Sequence, residues 1–251
     1  MIKKLSSKKI IAFQNLVLDF YQKNGREFPW RNHPDSYAIC VSEIMLQQTQ
    51  VARVIQKFPE FIRVFPDWNT LAQSSLQTIL RAWQGMGYNR RAKTLNNIAR
   101  IIIEHHNGIL PHDPLILQTF PWIGKNTAGS ICAFAFNVPT VFIETNIRTV
   151  FIHHFFPKQE IISDADIVPL VQKTLYIPSP RDWYSALMDY GSSIKSTHAN
   201  PNKKSTHYTK QTRFNGSDRQ IRGKILALLS REKIACDHFA NAIDIDEIRV
   251  E

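Results

Sequence analysis

Three features of the sequence predict an all-helical fold: apolar residues recur at helical spacing, no run alternates apolar and polar residues, and turn chemistry interrupts the chain at short intervals. Ile10, Phe13, Val17 and Phe20 fall on one face of an N-terminal helix. Leu95, Ile98, Ala99 and Ile102 fall on one face of another. Breaks come at "QKNGREFPW", "VFPDWN", "GMGYN", "HNGILPHDP", "FPWIGKN" and "IPSPRDW". A set of short helices is the expectation, with no internal repeat.

At 251 residues the chain can bury the core of one large domain or of two lobes. Its hydrophobic content of 43% is that of a folded protein. The formal charge of +10 points to a polyanionic partner, nucleic acid first, because clustered Lys and Arg favour phosphate while adding little to a fold. A basic surface with no such partner is also compatible with that charge. Cys40, Cys132 and Cys236 lie far apart without a C-x-x-C pair, so the spacing suggests neither a disulfide framework nor a zinc or iron–sulfur site. Cys40 and Cys132 read as small core residues.

The start, "MIKKLSSKKIIAFQNLVLDFYQK", is basic like a signal peptide, but Gln14, Asn15 and Asp19 interrupt its apolar positions, and it reads as an amphipathic helix. The most apolar stretch, "SICAFAFNVPTVFI", is broken by Asn137 and Pro139 and is too short to span a bilayer. The expectation is a soluble monomer of a reducing cytoplasm, nucleoid-associated in a bacterium. From Lys195 to Arg213 the chain is polar, lacks acids and has no helical period, so an exposed loop is predicted. Its Lys203, Lys204, Lys210 and Arg213 fit a phosphate backbone or incidental charge equally. "GSDRQIRGKILALLS" returns to helix with Ser217 or Asp218 as cap.

Two carboxylates carry candidate chemistry. Glu43 stands in "YAICVSEIMLQQTQV", in a segment otherwise apolar from Ala38 to Leu46. Desolvation there raises a carboxyl pKa, as suits a group that holds a proton until a reaction takes it; a buried Glu paired with an Arg or with backbone amides is the alternative. Glu144, in "VFIETNIRTV", precedes a predicted helix start, where free N–H groups and the dipole favour its ionised form. Taken alone it is equally a helix cap. Together, a protonated acid facing an ionised carboxylate is the pairing that cleaves a glycosidic bond through an oxocarbenium-like state.

These residues sit within strings that resemble the helix-hairpin-helix superfamily of base-excision DNA glycosylases, and within it the MutY-type adenine glycosylases. The resemblance runs from about Arg26 to Gly191 and is carried by "FPWR", "VSEIMLQQTQV", "GMGYNRRAKTL", "FPWIGKNTAGSICAFAF", "ETNIRTV" and "ALMDYG". It implies two helical lobes, 24–133 and 1–23 plus 134–230, with double-stranded DNA in the cleft between them and a tail at 231–251. A mismatched or damaged nucleotide would be flipped out, since its glycosidic bond is inaccessible in the stack. The resemblance makes Glu43 the acid that protonates the departing base, Glu144 the carboxylate beside the sugar cation, and Asn146 a supporting polar residue. It places Arg26, Trp30, Asn126 and Ser185 at the base pocket, Trp30 being equally a core aromatic. Gln48, Thr49, Tyr88 and Arg90 are assigned to DNA, with Gln48 and Tyr88 wedging or stacking near the partner base. Trp122, Gly124, Lys125 and Thr127 belong to the hairpin that offers backbone N–H groups to a phosphate.

The chain also departs from the resembled pattern. Glu144 replaces an Asp and is longer by a methylene, roughly 1.3 Å, a distance to which catalytic geometry responds. Asn126 stands where adenine glycosylases carry Tyr and lyase-competent relatives carry Lys, which favours a monofunctional glycosylase. Trp122 takes the place of a hairpin Gly, and Ser185 that of a Glu or Gln reading the adenine edge. The four iron–sulfur cysteines after "ALMDYG" are absent, so no cofactor is expected and no protein metal site is nominated. A monovalent cation on hairpin carbonyls is compatible with the superfamily. The sequence shows no counterpart of the C-terminal 8-oxoguanine-recognition domain; it finishes in an acidic "AIDIDEIRVE". The function expected is hydrolysis of the N-glycosidic bond of adenine opposite guanine or 8-oxoguanine. Removal of thymine, uracil or a deaminated purine, or lesion binding without catalysis, are the alternatives.

Overall fold

The computed structural model describes residues 5–31, 33–209 and 217–229, and these contain helices and a single isolated β-bridge. In order they are α1 (Ser7–Asn24), α2 (Ser36–Leu46), α3 (Val51–Val64), α4 (Trp68–Gln73), α5 (Leu76–Ala82), α6 (Arg90–His105), α7 (Pro114–Leu117), α8 (Lys125–Phe136), α9 (Thr145–Phe155), α10 (Asp164–Thr174), α11 (Pro180–Thr197) and α12 (Asp218–Leu229). The starts carry the expected chemistry. Asp67, Ser75 and Asp113 accept hydrogen bonds from the first-turn amides of Thr70 (2.7 Å), Thr78 (3.1 Å) and Leu115 (2.7 Å). Pro114 and Pro180 stand where a helix needs no N–H donor. Of the two faces read from the sequence, Leu95, Ile98, Ala99 and Ile102 are all buried in α6, and Phe13 and Val17 anchor α1.

The chain divides into two compact units. One comprises Met1–Glu43 and Leu110–Thr209; the other comprises Ile44–Ile109 together with α12. These bounds differ from the 24–133 segment expected from the sequence. The reason lies in the partners of its ends: α8 packs on α7 and α11, and Arg26 and Arg31 bind Asp189 of α11. The expected tail, 231–251, lies outside the described residues, as do Lys210, Arg213 and Cys236.

In the first unit α11 is the spine, packed against α1, α8 and α9. Phe13 meets Phe151, Phe155 and Trp183 edge-on at 5.6, 5.0 and 5.8 Å, a geometry that adds about 0.5–1.5 kcal/mol per pair beyond area burial. In the second unit α6 packs on α4 and α5, Phe61 lies edge-on to Trp83 at 5.7 Å, and buried Asn96 donates to the Leu71 carbonyl at 2.7 Å.

From Lys195 to Thr209 the chain is more structured than the exposed loop expected there. α11 continues to Thr197, and a 3-10 turn at Pro201–Lys204 packs on α9. Buried Asn202 donates to the Thr145 carbonyl (3.1 Å) and the Thr149 hydroxyl (2.6 Å), both in α9. Ile162 and Ser205 form the isolated bridge. A polar composition therefore conceals a buried side chain whose amide group donates twice to α9, partners that helical periodicity cannot supply.

Gly191 fixes how closely α11 approaches α9. A Cβ there would lie 2.2 Å from the Asn146 carbonyl oxygen, a contact that only backbone movement can relieve. Gly191→Ala should therefore lower stability by about 2 kcal/mol, although Ala is the better helix former. In thermal unfolding followed by circular dichroism this is a fall of roughly 4–8 °C; an unchanged midpoint would mean that the two helices separate freely.

Candidate active site

The site is built on the chain that leads into α9. Between α8 and α9 the backbone is tied on both sides: the Tyr184 hydroxyl donates to the Thr140 carbonyl (2.7 Å) and the Thr140 hydroxyl to the Gly129 carbonyl (2.7 Å). The Ile143 amide donates to Asn126 Oδ1 at 3.2 Å. Phe142 and Ile143 are buried, so the run delivers Glu144 at a fixed point.

Glu144 is the N-cap of α9. Its backbone is extended, and its Oε1 accepts from the amides of Asn146 (2.6 Å) and Ile147 (3.1 Å). Asn146 Nδ2 reaches Glu144 Oε2 at 3.5 Å and Met188 Sδ at 3.9 Å, while its buried Oδ1 has no hydrogen-bond partner. The helix start alone was expected to favour the ionised form of Glu144 and keep it charged at neutral pH. Instead burial raises its pKa, against the lowering effect of the Ile147 and Asn146 amides and of the charges of Lys195 and Arg148. Desolvation outweighs the cap because the residue is half-buried rather than at a fully exposed helix end.

Glu43 lies near the end of α2, flanked by buried Val41, Ser42, Ile44 and Met45. Burial pushes its carboxyl up to about 7; the Ser130 hydroxyl opposes this and the Glu144 charge adds to it. The two carboxyls are thus close enough to sense each other, and both belong to the first unit. Ser130 Oγ also lies 3.0 Å from the Thr127 carbonyl. A hydroxyl has one proton, which Ser130 can direct to the ionised Glu43 carboxylate or to the Thr127 carbonyl but not to both.

Beside these groups stands an ion cluster that the sequence did not disclose. Asp189 Oδ1 accepts from Arg26 Nε (2.7 Å) and Arg31 Nη2 (2.8 Å), and Oδ2 from the Arg26 amide (2.8 Å) and Arg31 Nη1 (2.7 Å). Burial works to raise the Asp189 carboxyl, but hydrogen bonds and charge from Arg31 and Arg26 prevail and leave it below the usual range. Arg26 is therefore held rather than free. Trp30 is buried and stacks on Phe28 at 5.0 Å, the core reading of that aromatic. Ser185 is also buried within α11, whereas Asn126 is exposed at the start of α8. An acid inside the apolar "SALMDYG" was the available signal for Asp189, by the argument applied to Glu43.

Of the residues that the sequence assigned to DNA, Gln48, Tyr88 and Trp122 have left-handed backbone. Among the described residues five non-glycine positions have positive φ: Gln48 (54°), Tyr88 (46°), Asn107 (52°), Trp122 (62°) and Asn137 (57°). Asn tolerates this region; Gln, Tyr and Trp do so at a cost, and strained backbone of this kind clusters at functional sites. In the second unit Gln48 and Tyr88 are exposed, and the loops that carry them are joined by buried Arg91. Its guanidinium donates to the carbonyls of Ile44 (3.1 Å), Met45 (2.7 Å), Met86 (3.1 Å) and Gly87 (3.1 Å) and to Thr49 Oγ1 (2.8 Å). Thr49 is thus part of this brace, and Arg90, next in sequence, is exposed. In the first unit Trp122 is 65% exposed, and Gly124 precedes α8 without a side-chain cap, with open space where a Cβ would stand. Lys125 is exposed and Thr127 half-buried.

Among the described residues no helix is long and apolar enough to cross a membrane, and no three His, Cys, Asp or Glu side chains form a group that could hold a metal. Cys40 and Cys132 are buried free thiols, and the chain from Gly191 to Arg213 contains no cysteine, so a four-thiolate cluster does not fit there.

The fold is that of a helical DNA glycosylase: a solved structure described as a thermostable thymine-DNA glycosylase superposes with a TM-score of 0.68 at 22% identity, covering 78% of this chain and 92% of that one. Residues 41–168 match the HhH-GPD superfamily of base excision DNA repair proteins, and the chain belongs to that superfamily. It is 36% identical over 189 residues to an adenine DNA glycosylase of Buchnera aphidicola subsp. Baizongia pistaciae, covering 73% of this chain and 53% of that protein. It is 31% identical over 236 residues to an adenine DNA glycosylase of Mycobacterium tuberculosis, covering 85% and 77%. The match thus spans about half the length of the first relative.

Because the native state favours protonated Glu43, the stability this group contributes is complete below its unfolded value near 4.3 and is lost as pH rises through about 7. Glu43→Gln should accordingly be more stable than the wild type on the alkaline side, by up to about 2 kcal/mol after allowance for partial exposure. Urea unfolding at pH 5 and pH 8 should show the gap widening with pH; a constant gap would place Glu43 in an ordinary aqueous setting.

Proposed function

We propose that this protein is a monofunctional DNA glycosylase that hydrolyses the N-glycosidic bond of a base flipped from duplex DNA, the base being adenine opposite guanine or 8-oxoguanine. The observation that carries the reading is a pair of carboxyls with unequal partners in one unit, the charge of Glu144 acting on Glu43. Glu43 has burial and one hydroxyl; Glu144 has two backbone amides and two nearby cations. Glu43 is the group suited to give a proton to the departing base, and Glu144 to remain charged beside the sugar cation. Water completes the reaction at C1′ and returns a proton to the site. The absence of Lys at position 126 leaves no Schiff-base nucleophile there. The route needs no cofactor.

Adenine follows from the relatives, whose names give that base. Double-stranded DNA as partner agrees with the charge of +10 and with the strained, exposed Gln48, Tyr88 and Trp122, each able to insert or stack beside a base. Binding by a monomer at the site of damage, weakened by salt, is the corresponding solution behaviour.

Single-turnover cleavage of duplexes carrying A·8-oxoguanine, A·G, T·G and U·G, each followed by alkaline strand scission, tests the proposal. Excision of adenine is expected, with a rate that falls as pH rises through about 7. Glu43→Gln should reduce it by about 10²–10⁴ while DNA affinity stays near wild type. Excision confined to the pyrimidines would overturn the choice of base, and mismatch binding without abasic product would overturn catalysis.

A further inference from the structure

α11 turns one face toward the start of α9. Gly191 lies against the Asn146 carbonyl, Met188 Sδ is 3.9 Å from Asn146 Nδ2, and the Ser192 hydroxyl is 3.5 Å from Arg26 Nη1. Lys195 follows Met188 by seven residues, Gly191 by four and Ser192 by three, spacings that put it on this same face. It is half-buried while Ser196 and Thr197 beyond it are exposed. Its charge acts on Glu144, and that of Arg26 acts on it.

The other charges around Glu144 are already committed. Arg148, on α9 itself, makes a two-pronged pair with Asp164 of α10 at 2.7 and 2.8 Å, and Asp164 also faces His207 at 3.7 Å. Arg26 is clamped to Asp189 at 2.6 Å, and Arg31 shares that carboxylate. Glu43, from α2, is an acid whose own carboxyl is raised by the charge of Glu144, so it supplies no positive charge to the site. Among the described residues, Lys195 is the cation acting on Glu144 that no carboxylate neutralises.

We infer that Lys195 is the counter-cation of Glu144, a positioning residue that keeps this half-buried carboxylate ionised and acts on the reaction through it. The assignment rests on the function proposed above for Glu144, but the charge relation itself does not depend on which base is excised. It gives a segment otherwise read as a basic surface loop a task inside the protein. The sign is definite. Replacing the ammonium by an apolar chain of similar length leaves Glu144 with two amide donors and an already neutralised Arg148, so it takes up a proton at higher pH. The site then holds two neutral acids and nothing to balance a sugar cation.

The test is a carboxyl ¹³C titration of glutamate-labelled protein, with Glu43→Gln as background so that one carboxyl of the pair titrates. Lys195→Met should raise the Glu144 midpoint by about one pH unit or more, and Lys195→Arg should leave it near the wild-type position. With Glu43 present, Lys195→Met should move the acid limb of the single-turnover profile upward by a similar amount, a roughly tenfold loss of rate on that limb. Lys195→Arg should recover it. An unmoved midpoint in Lys195→Met overturns the inference, as does equal impairment of both variants with a lowered melting temperature. A shifted midpoint in a protein that excises no base leaves the Lys195 assignment standing and removes the proposed function; base excision with an unmoved midpoint does the reverse.

Discussion

The site depends on a carboxylate that caps its own helix from within the protein. A Glu is an uncommon N-cap, since its side chain must fold back to reach amides that Asp or Ser meets directly. Glu144 does so, spending its additional methylene on the return to Asn146 and Ile147 rather than on reach into solvent. Relative to the Asp that the sequence pattern leads one to expect, the longer residue therefore need not push the carboxylate forward by its full extra length. Rigidity of the approach makes this possible: Asn126, Gly129 and Tyr184 fix the incoming strand, Gly191 lets α11 close on Asn146, and Asn202 ties the first turn of α9 from the other side.

Three acids within apolar sequence meet three different fates, and partners decide among them. Asp189 has two guanidiniums and is held as an anion; its clamps orient Arg26 and Arg31 and join the segment after α1 to α11. Glu144 has a helix end and nearby cations that oppose its desolvation without outweighing it. Glu43 has one hydroxyl and a neighbouring acid, so the proton stays on it to about neutral pH. The same side-chain chemistry thus yields an anchor, a charge stabiliser and a proton donor.

Much of this was legible in the sequence where it depends on local pattern. The apolar faces of α1 and α6, the Asp and Pro starts of α7 and α11, and an acid poised at the start of α9 all follow from spacing and cap chemistry. What escaped are interactions whose second member lies far along the chain. Arg91 and Arg90 are indistinguishable by type, yet one is buried against carbonyls from α2 and the other faces solvent. Asn202 looks like loop polarity until Thr149, 53 residues away, receives its amide. Glu144 was read correctly as a cap, but its pKa follows burial, which a helix start alone does not reveal.

Backbone strain supplies the remaining step. Trp122 adopts φ 62° with most of its surface exposed, whereas Gly124, two residues on, has an ordinary φ of −83°. A glycine at 122 would relieve about 1 kcal/mol of left-handed backbone strain. Exposure of the indole returns little of this through core burial. Two residues on, α8 starts without a side-chain cap. An uncapped helix start beside an outward aromatic matches what a phosphodiester with an adjoining base presents: an anion for the amides and a flat face for the ring. Gln48 and Tyr88 repeat the pattern of strain with exposure in the second unit, where the buried guanidinium of Arg91 supports both loops. Where local stability is surrendered at three exposed positions and recovered by buried braces behind two of them, the exposed side chains are the part of the design that packing does not explain.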